Sequence, residues 1–309
     1  MSILLLRSDN KYDAWLKALK EENADLPVFT PETLKNRDEV KMILSWKAPK
    51  GSYSHYPNVE VIGSMGAGVD HLFQDDSLPE NVKISRIVDD YLKNDMREFI
   101  LTLVMDHLKN LGSYVKFQQK NSWKQLPYQS VPNVTIGFMG LGVLGQAAAE
   151  YLHRLDFKVT GWSNSKKDLD FVKSFAGKEG LDDFLASAEI LVCLLPLTEE
   201  TKDILNAELF KKLPDGAYLI NVARGGHLVE QDLTEALAHD KLSGAALDVF
   251  QEEPLPEDHP FWKNNKILIT PHVASVSSPS SVAGQVIDNY NRMLNGEPLR
   301  HTVSRKRGY

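Results

Sequence analysis

Three short blocks in the second half of the chain carry the side chains best suited to chemistry. They are Asn221-Val222-Ala223-Arg224-Gly225-Gly226, Leu247-Asp248-Val249-Phe250-Gln251-Glu252-Glu253-Pro254 and Ile269-Thr270-Pro271-His272-Val273-Ala274-Ser275. Each follows an apolar run of strand-like length. Histidine exchanges protons near neutral pH, and a neighbouring carboxylate holds the imidazole and favours its protonated form. Arginine presents a planar fork that fits a carboxylate with two parallel hydrogen bonds. Taken singly, each block has a plain reading: a surface ion pair, a solvated Glu-Glu-Pro loop, a satisfied polar side chain. Their common place after strands of one sheet makes convergence on one site the better reading.

The scaffold for these blocks centres on Thr135–Gly145. Thr135–Met139 is an apolar run long enough for a buried strand, and Gly140-Leu141-Gly142-Val143-Leu144-Gly145 spells G-x-G-x-x-G. Gln146–Leu152 then reads as a helix, so the glycines fall where a strand turns into a helix. In that context Gly140 permits the tight turn and Gly142 lets backbone approach a pyrophosphate. Gly145, helped by the small Ala147 and Ala148, lets the helix lie close to the sheet. The motif points to a bound dinucleotide.

Strands are expected at Val134–Met139, Lys158–Trp162, Ile190–Leu195, Ala217–Asn221, Ala245–Val249 and Ile267–Thr270, a six-stranded dinucleotide-binding sheet. Helices are expected at Asp182–Ser187, Ala207–Leu213 and Gln231–His239. Upstream, Ile3–Leu6, Met42–Ser45 and Val59–Gly63 read as strands and Tyr12–Leu19 as a helix. Such alternation argues a parallel α/β sheet. Gly63-Ser64-Met65-Gly66-Ala67-Gly68-Val69-Asp70 follows the third of these strands, where open sheets bind ligands; its amides could hold a carboxylate, and a plain glycine turn is the alternative. Asp95–Leu111 reads as a helix apolar on more than one face, and Ser113–Asn133 as an extended arm with Trp123 and Tyr128. Pro279–Leu294 is a last helix that returns to the first domain. The expected fold is therefore α/β in two domains, with substrate-side residues 1–95 and 275–309 and a Rossmann domain at 96–274.

The 309 residues suffice for two domains with cores. A net charge of −7 argues against broad binding to nucleic acid or anionic membrane. The single cysteine, Cys193, excludes an intrachain disulfide and a cysteine metal cluster; it reads as a small buried thiol. Neither a signal segment nor a membrane span is expected, so the protein is expected to be cytoplasmic.

An NAD site usually has an acid at the tip of the second strand. Here the tip reads Ser163-Asn164-Ser165-Lys166-Lys167. Hydroxyls, an amide and lysines suit a 2′-phosphate, which an acid would repel. NADPH is favoured, with NADH still admissible.

Together these blocks resemble the D-isomer-specific 2-hydroxyacid dehydrogenase family over nearly the whole chain. Gly66-Ala67-Gly68-Val69-Asp70 adds to the likeness in the first domain. Gly161-Trp162-Ser163, Leu195-Pro196-Leu197-Thr198, Leu213–Leu219 and the chain end Arg307-Gly308-Tyr309 resemble most the glyoxylate/hydroxypyruvate reductase A type. The resemblance implies a flavodoxin-like first domain, an active site in the cleft between the domains, and a homodimer formed through the long helix and arm at about 96–133. It implies reduction of a small 2-keto acid by NAD(P)H, with His272 as proton donor and Arg224 on the substrate. Family register selects Glu253, directly before Pro254, as the partner of His272. Trp46, Ala67 and Gly68 fall on the substrate side. Met96, Val143, Leu144, Leu195, Pro196, Val222, Ala223, Asp248, His272 and Ser275 fall where the cofactor binds, and no metal is implied. Other enzymes of the family, of D-lactate or phosphoglycerate type, and a non-catalytic dinucleotide sensor are the alternatives. The paired Glu253 and His272 argue against formate oxidation, which needs no proton donor.

Overall fold

The structure is a computed structural model that describes residues 1–306 and 308; Arg307 and Tyr309, from the basic tail and the chain-end motif, lie outside the described residues. The chain divides into two compact units, Met1–Leu92 with the segment from Val276 onward, and Lys93–Ser275.

The first unit contains β1 (Ser2–Arg7), α1 (Asp13–Glu22), β2 (Val28–Phe29), β3 (Val40–Trp46), β4 (Val61–Ser64), α2 (Asp70–Phe73) and β5 (Lys83–Ser85). All its strands pair in parallel in the order β2-β1-β3-β4-β5, the flavodoxin-like arrangement. Ser2–Leu6 is buried without a break, as a parallel strand covered on both faces requires. Trp15, Ala18 and Leu19 form the buried stripe of α1, which packs against the last helix, Pro279–Leu294. That helix buries Val282, Ala283, Val286 and Tyr290 on one face, and its proline sits in the first turn, where no N–H is needed.

The second unit is entered through α3 (Asp90–Lys109) and α4 (Leu111–Gln119). It continues through β6 (Thr135–Met139), α5 (Val143–His153), β7 (Lys158–Ser163), β8 (Lys173–Ala176), α6 (Leu181–Ser187) and β9 (Ile190–Cys193). It closes with α7 (Ala207–Lys212), β10 (Ala217–Asn221), α8 (Glu230–Ala238), β11 (Leu242–Leu247) and β12 (Ile267–Ile269). The strand order is β12-β11-β10-β9-β6-β7-β8, all parallel. Counted from β6, this is the doubly wound dinucleotide-binding order with one strand more.

Three features differ from the sequence expectation. The first third of the expected arm, residues 113–119, is in helix α4. Asn110 takes a left-handed conformation (φ 57°), ends α3 and lets a second helix start at once. Gly112 sits in the first turn of α4, where its N–H donates to Asp106 Oδ1 at 3.1 Å. The sheet has seven strands, because β8 pairs along β7 at the edge; its Lys-Ser-Phe-Ala sequence is too short and polar for periodicity to reveal. β11 begins three residues before the expected Ala245 because Gly244 belongs to it: a Cβ there would lie 2.9 Å from the Lys266 carbonyl oxygen, so the glycine marks close strand approach.

Candidate active site

Strand register assembles the site. Met139 pairs with Cys193, Cys193 with Asn221, Asn221 with Leu247, and Leu247 with Ile269. The next residue on each strand is therefore at one carboxyl edge: Gly140, Leu194, Val222, Asp248 and Thr270. The three chemical blocks and the glycine turn share that edge, where open sheets bind ligands.

Gly140 sits at φ 106°, open only to glycine at low cost, and its N–H donates to the Trp162 carbonyl at 2.8 Å. A Cβ on Gly145 would lie 1.9 Å from the Gly140 carbonyl oxygen, whereas one on Gly142 would meet nothing within 4 Å. Gly142 caps α5 without a side-chain hydrogen bond, leaving the first-turn N–H groups of the helix to a ligand. The open face at Gly142 beside a helix N-terminus fits a pyrophosphate, with the exposed Val143 and half-buried Leu144 beside it.

Beyond β7 the turn is polar and mostly exposed. Ser163 Oγ donates to the Ser165 carbonyl at 2.8 Å, and Asn164, Ser165 and Lys166 face solvent. Strand pairing of β6 with β7 puts this turn beside the glycine turn, as a 2′-phosphate site requires.

His272 Nδ1 lies 2.8 Å from Glu253 Oε2, and both side chains are partly accessible. Glu253 Oε1 also accepts the Phe250 amide at 3.2 Å, so the loop after β11 orients its own carboxylate. With Nδ1 on the carboxylate, Nε2 is the nitrogen left to face a substrate. His272 has φ 54°, a conformation rare outside glycine. It is held by the buried Asp248: Thr270 Oγ1 donates to Oδ1 at 2.6 Å, Val273 N to Oδ1 at 2.9 Å and Ala274 N to Oδ2 at 2.9 Å. Asp248 thus holds the chain on both sides of the histidine, through the Thr270 hydroxyl before it and the Val273 and Ala274 amides after it, a job that its spacing in the sequence does not show.

Arg224 is half-buried three residues after β10, and one of its guanidinium nitrogens (Nη1) donates to the Ala223 carbonyl at 2.6 Å. Asn221, fully buried, shapes this turn: Nδ2 donates to the Arg224 carbonyl at 3.0 Å and Oδ1 accepts the Ala223 amide at 3.2 Å. Sequence reasoning passed over Asn221, although an asparagine closing a strand before a turn is a signal for such self-bonding. His227, also fully buried, was passed over as well. Val222, Ala223 and Leu195 are buried, and Pro196 and Ser275 are half-buried. Met96 is 5% exposed and packs with Ile100, Val104 and Phe138 in the core of this unit. Cys193 is buried in the other core cluster, and burial pushes its thiol up to about 12, so it is inert.

In the first unit, the loop after β4 is pinned by Ser64. Its hydroxyl donates to the Gly68 carbonyl at 2.7 Å and accepts the Gly66 amide at 3.1 Å. Ala67 and Gly68 are the partly exposed residues of this otherwise buried loop. Trp46 closes β3 and lies over Gly66, where a Cβ would come within 2.8 Å of the indole; the ring also tilts against His71 at 5.0 Å. Among the described residues no group of three or more His, Cys, Asp or Glu side chains could hold a metal, and no helix is long and apolar enough to cross a membrane.

Known proteins share this architecture. Residues 101–274 match the family model described as D-isomer specific 2-hydroxyacid dehydrogenase, NAD binding domain. The chain is 35% identical to glyoxylate/hydroxypyruvate reductase A of Serratia proteamaculans, covering 100% of each chain. It is similar to a D-isomer specific 2-hydroxyacid dehydrogenase from Xanthobacter autotrophicus solved with NADPH and MES: TM-score 0.94, 36% identity, covering 100% of this chain and 99% of that one. It is also similar to an NADPH-dependent glyoxylate/hydroxypyruvate reductase from Sinorhizobium meliloti solved with NADP and sulfate: TM-score 0.93, 35% identity, covering 100% of each. The strand orders, the glycine turn, the histidine–glutamate pair and these likenesses agree, and the chain belongs to the D-isomer specific 2-hydroxyacid dehydrogenase family.

Proposed function

We propose that the protein is a reductase of the glyoxylate/hydroxypyruvate A type, converting a small 2-keto acid to the 2-hydroxy acid with NADPH. The observation that carries this is the 2.8 Å contact between His272 and Glu253 at the sheet edge that holds the glycine turn. Relatives over the full chain length carry that activity in their names, and solved relatives hold NADPH or NADP. The D-lactate, phosphoglycerate and non-catalytic readings are not favoured.

The reaction adds a hydride to the keto carbon and a proton to its oxygen. Bound NADPH supplies the hydride. Gly140, Gly142, Val143, Leu144 and Gly145 would hold its pyrophosphate, and Ser163, Asn164, Ser165 and Lys166 its 2′-phosphate. Met96, Leu195, Pro196, Val222, Ala223, Asp248 and Ser275 are proposed to line the rest of that site. His272 gives the proton from Nε2, and Glu253 keeps the ring turned for it. Arg224 pairs with the substrate carboxylate and polarises the carbonyl. The Ala67 and Gly68 amides take the rest of the carboxylate, and Trp46 bounds the small substrate end.

Residues 96–274 are assigned to cofactor binding, and residues 1–95 with 275–309 to substrate binding. A homodimer through α3, α4 and the following arm is part of the proposal. Its support is the exposure of Leu111, Val115, Trp123 (98% exposed) and Tyr128 on one continuous segment. The solution mass by light scattering checks it. A cytoplasmic location is also part of the proposal.

The deciding experiment is initial-rate oxidation of NADPH and NADH with glyoxylate, hydroxypyruvate and pyruvate. Fast NADPH oxidation with the first two is expected. Cofactor binding without turnover on any acid would overturn the assignment.

A further inference from the structure

We propose that His227 is a positioning residue that ties the substrate arginine Arg224 to the cofactor-side loop at Pro196. The inference rests on the roles assigned above to Arg224 and Pro196.

His227 is fully buried, three residues beyond Arg224. Its ring spans two backbone carbonyls: Nδ1 is 3.0 Å from the Arg224 oxygen and Nε2 is 3.3 Å from the Pro196 oxygen. These carbonyls belong to different loops, one following β10 and one following β9. Backbone bonds continue the tie, with the Asp203 amide on the Gly226 carbonyl at 3.0 Å and the Leu205 amide on the His227 carbonyl at 2.8 Å. Thr201 Oγ1 also donates to the Pro196 carbonyl at 2.6 Å, so that loop is itself folded onto the oxygen His227 reaches. Burying an imidazole is worth its desolvation only if its polar atoms find partners. The carbonyls at these two nitrogens belong to loops at the reacting edge; a neutral imidazole donates at one nitrogen only, so donation to both belongs to the protonated ring. In this proposal His227 acts through other residues: it sets where Arg224 lies after its strand and where Pro196 lies beside the glycine turn.

Two shortened mimics separate the two bonds. An asparagine places its amide nitrogen near the position of Nδ1, and a glutamine near that of Nε2. His227→Asn keeps a donor for Arg224 and loses the one for Pro196. His227→Gln does the reverse.

The test measures KM for glyoxylate, kcat, and NADPH Kd by fluorescence titration for the wild type and both variants, with Tm as a fold check. The expected pattern is crossed. His227→Asn weakens NADPH at least fivefold and leaves glyoxylate KM within about threefold. His227→Gln raises glyoxylate KM at least fivefold and leaves NADPH Kd within about threefold. Equal effects of both variants on both constants, no effect of either, or unfolding of both overturns the proposal and leaves His227 as core packing. A wild type that binds NADPH without reducing glyoxylate counts against the proposed function. The crossed pattern in NADPH Kd then still decides the tie to Pro196.

Discussion

His272 reaches Glu253 through Nδ1 at 2.8 Å, while the other carboxylate oxygen of Glu253 is occupied by the Phe250 amide at 3.2 Å. The glutamate is thereby fixed by its own loop before it orients the histidine. This leaves Nε2 as the nitrogen not engaged by Glu253, the atom the proposed mechanism uses for proton delivery. His272→Ala should lower kcat about 10²–10⁴-fold with little change in NADPH Kd. Glu253→Gln keeps the shape and removes the charge, so a smaller loss, of about tenfold or more, is expected. Full turnover in the His272→Ala variant would falsify the proton-donor role.

Asp248 takes three hydrogen bonds from the histidine loop, from Thr270, Val273 and Ala274. Asparagine has one acceptor oxygen in place of two and turns an N–H₂ toward another donor. Asp248→Asn should therefore lose about 1–3 kcal/mol of stability. Its kcat should fall, because the left-handed His272 is no longer pinned. In the His272→Ala background the same change should add little to the loss of kcat. An additive double mutant would show that Asp248 acts apart from the histidine.

The glycines of the turn should separate by what surrounds them. Gly145→Ala drives a Cβ to 1.9 Å from the Gly140 carbonyl oxygen and Gly142→Ala meets no protein atom within 4 Å. Gly145→Ala should cost about 1–3 kcal/mol or more of stability, read as a fall in Tm. Gly142→Ala should keep Tm and weaken NADPH about tenfold, equivalent to about 1.4 kcal/mol. A normal NADPH Kd in Gly142→Ala would place the pyrophosphate elsewhere.

Cofactor choice is predicted to sit in the turn after β7. Ser163→Asp or Lys166→Glu puts negative charge at the proposed 2′-phosphate position. Either should lower kcat/KM for NADPH relative to NADH on the order of tenfold. Equal effects on both cofactors would remove this turn from the assignment.

His107 stacks on Tyr218 with ring centroids 3.8 Å apart, and burial pulls its imidazole down to about 4. The unfolded chain, with a histidine near 6.5, takes up this proton first. The stability it supplies is thus present above about pH 6.5 and is lost as the pH falls toward 4. The loss by pH 5 should be about 1–2 kcal/mol. His107→Phe keeps a stacking ring and removes the titration, so it should flatten Tm against pH across this window. An unchanged slope would assign the acid sensitivity to other groups.

Much of this protein was determined by the sequence alone. The glycine turn, the strand before it and the helix after it are local: residues a few positions apart decide them through spacing and small size. The blocks holding Arg224, Glu253 and His272 were legible because each directly follows an apolar strand. A parallel sheet then brings those strand ends to one edge. Other features needed the tertiary structure because they depend on which segments become neighbours. β8 exists only through pairing with β7, and Gly244 is in a strand because Lys266 backbone passes close by. α4 follows α3 without an extended link because Asn110 turns the chain in a left-handed conformation. Asp248 reads as one more acid after a strand, yet its carboxylate faces the loop from β12, 22 to 26 residues away. His227 carries no signal in the sequence, yet it spans carbonyls 3 and 31 positions away in the chain. Spacing along the chain shows which residue types are available; only the register of the sheet decides which of them meet.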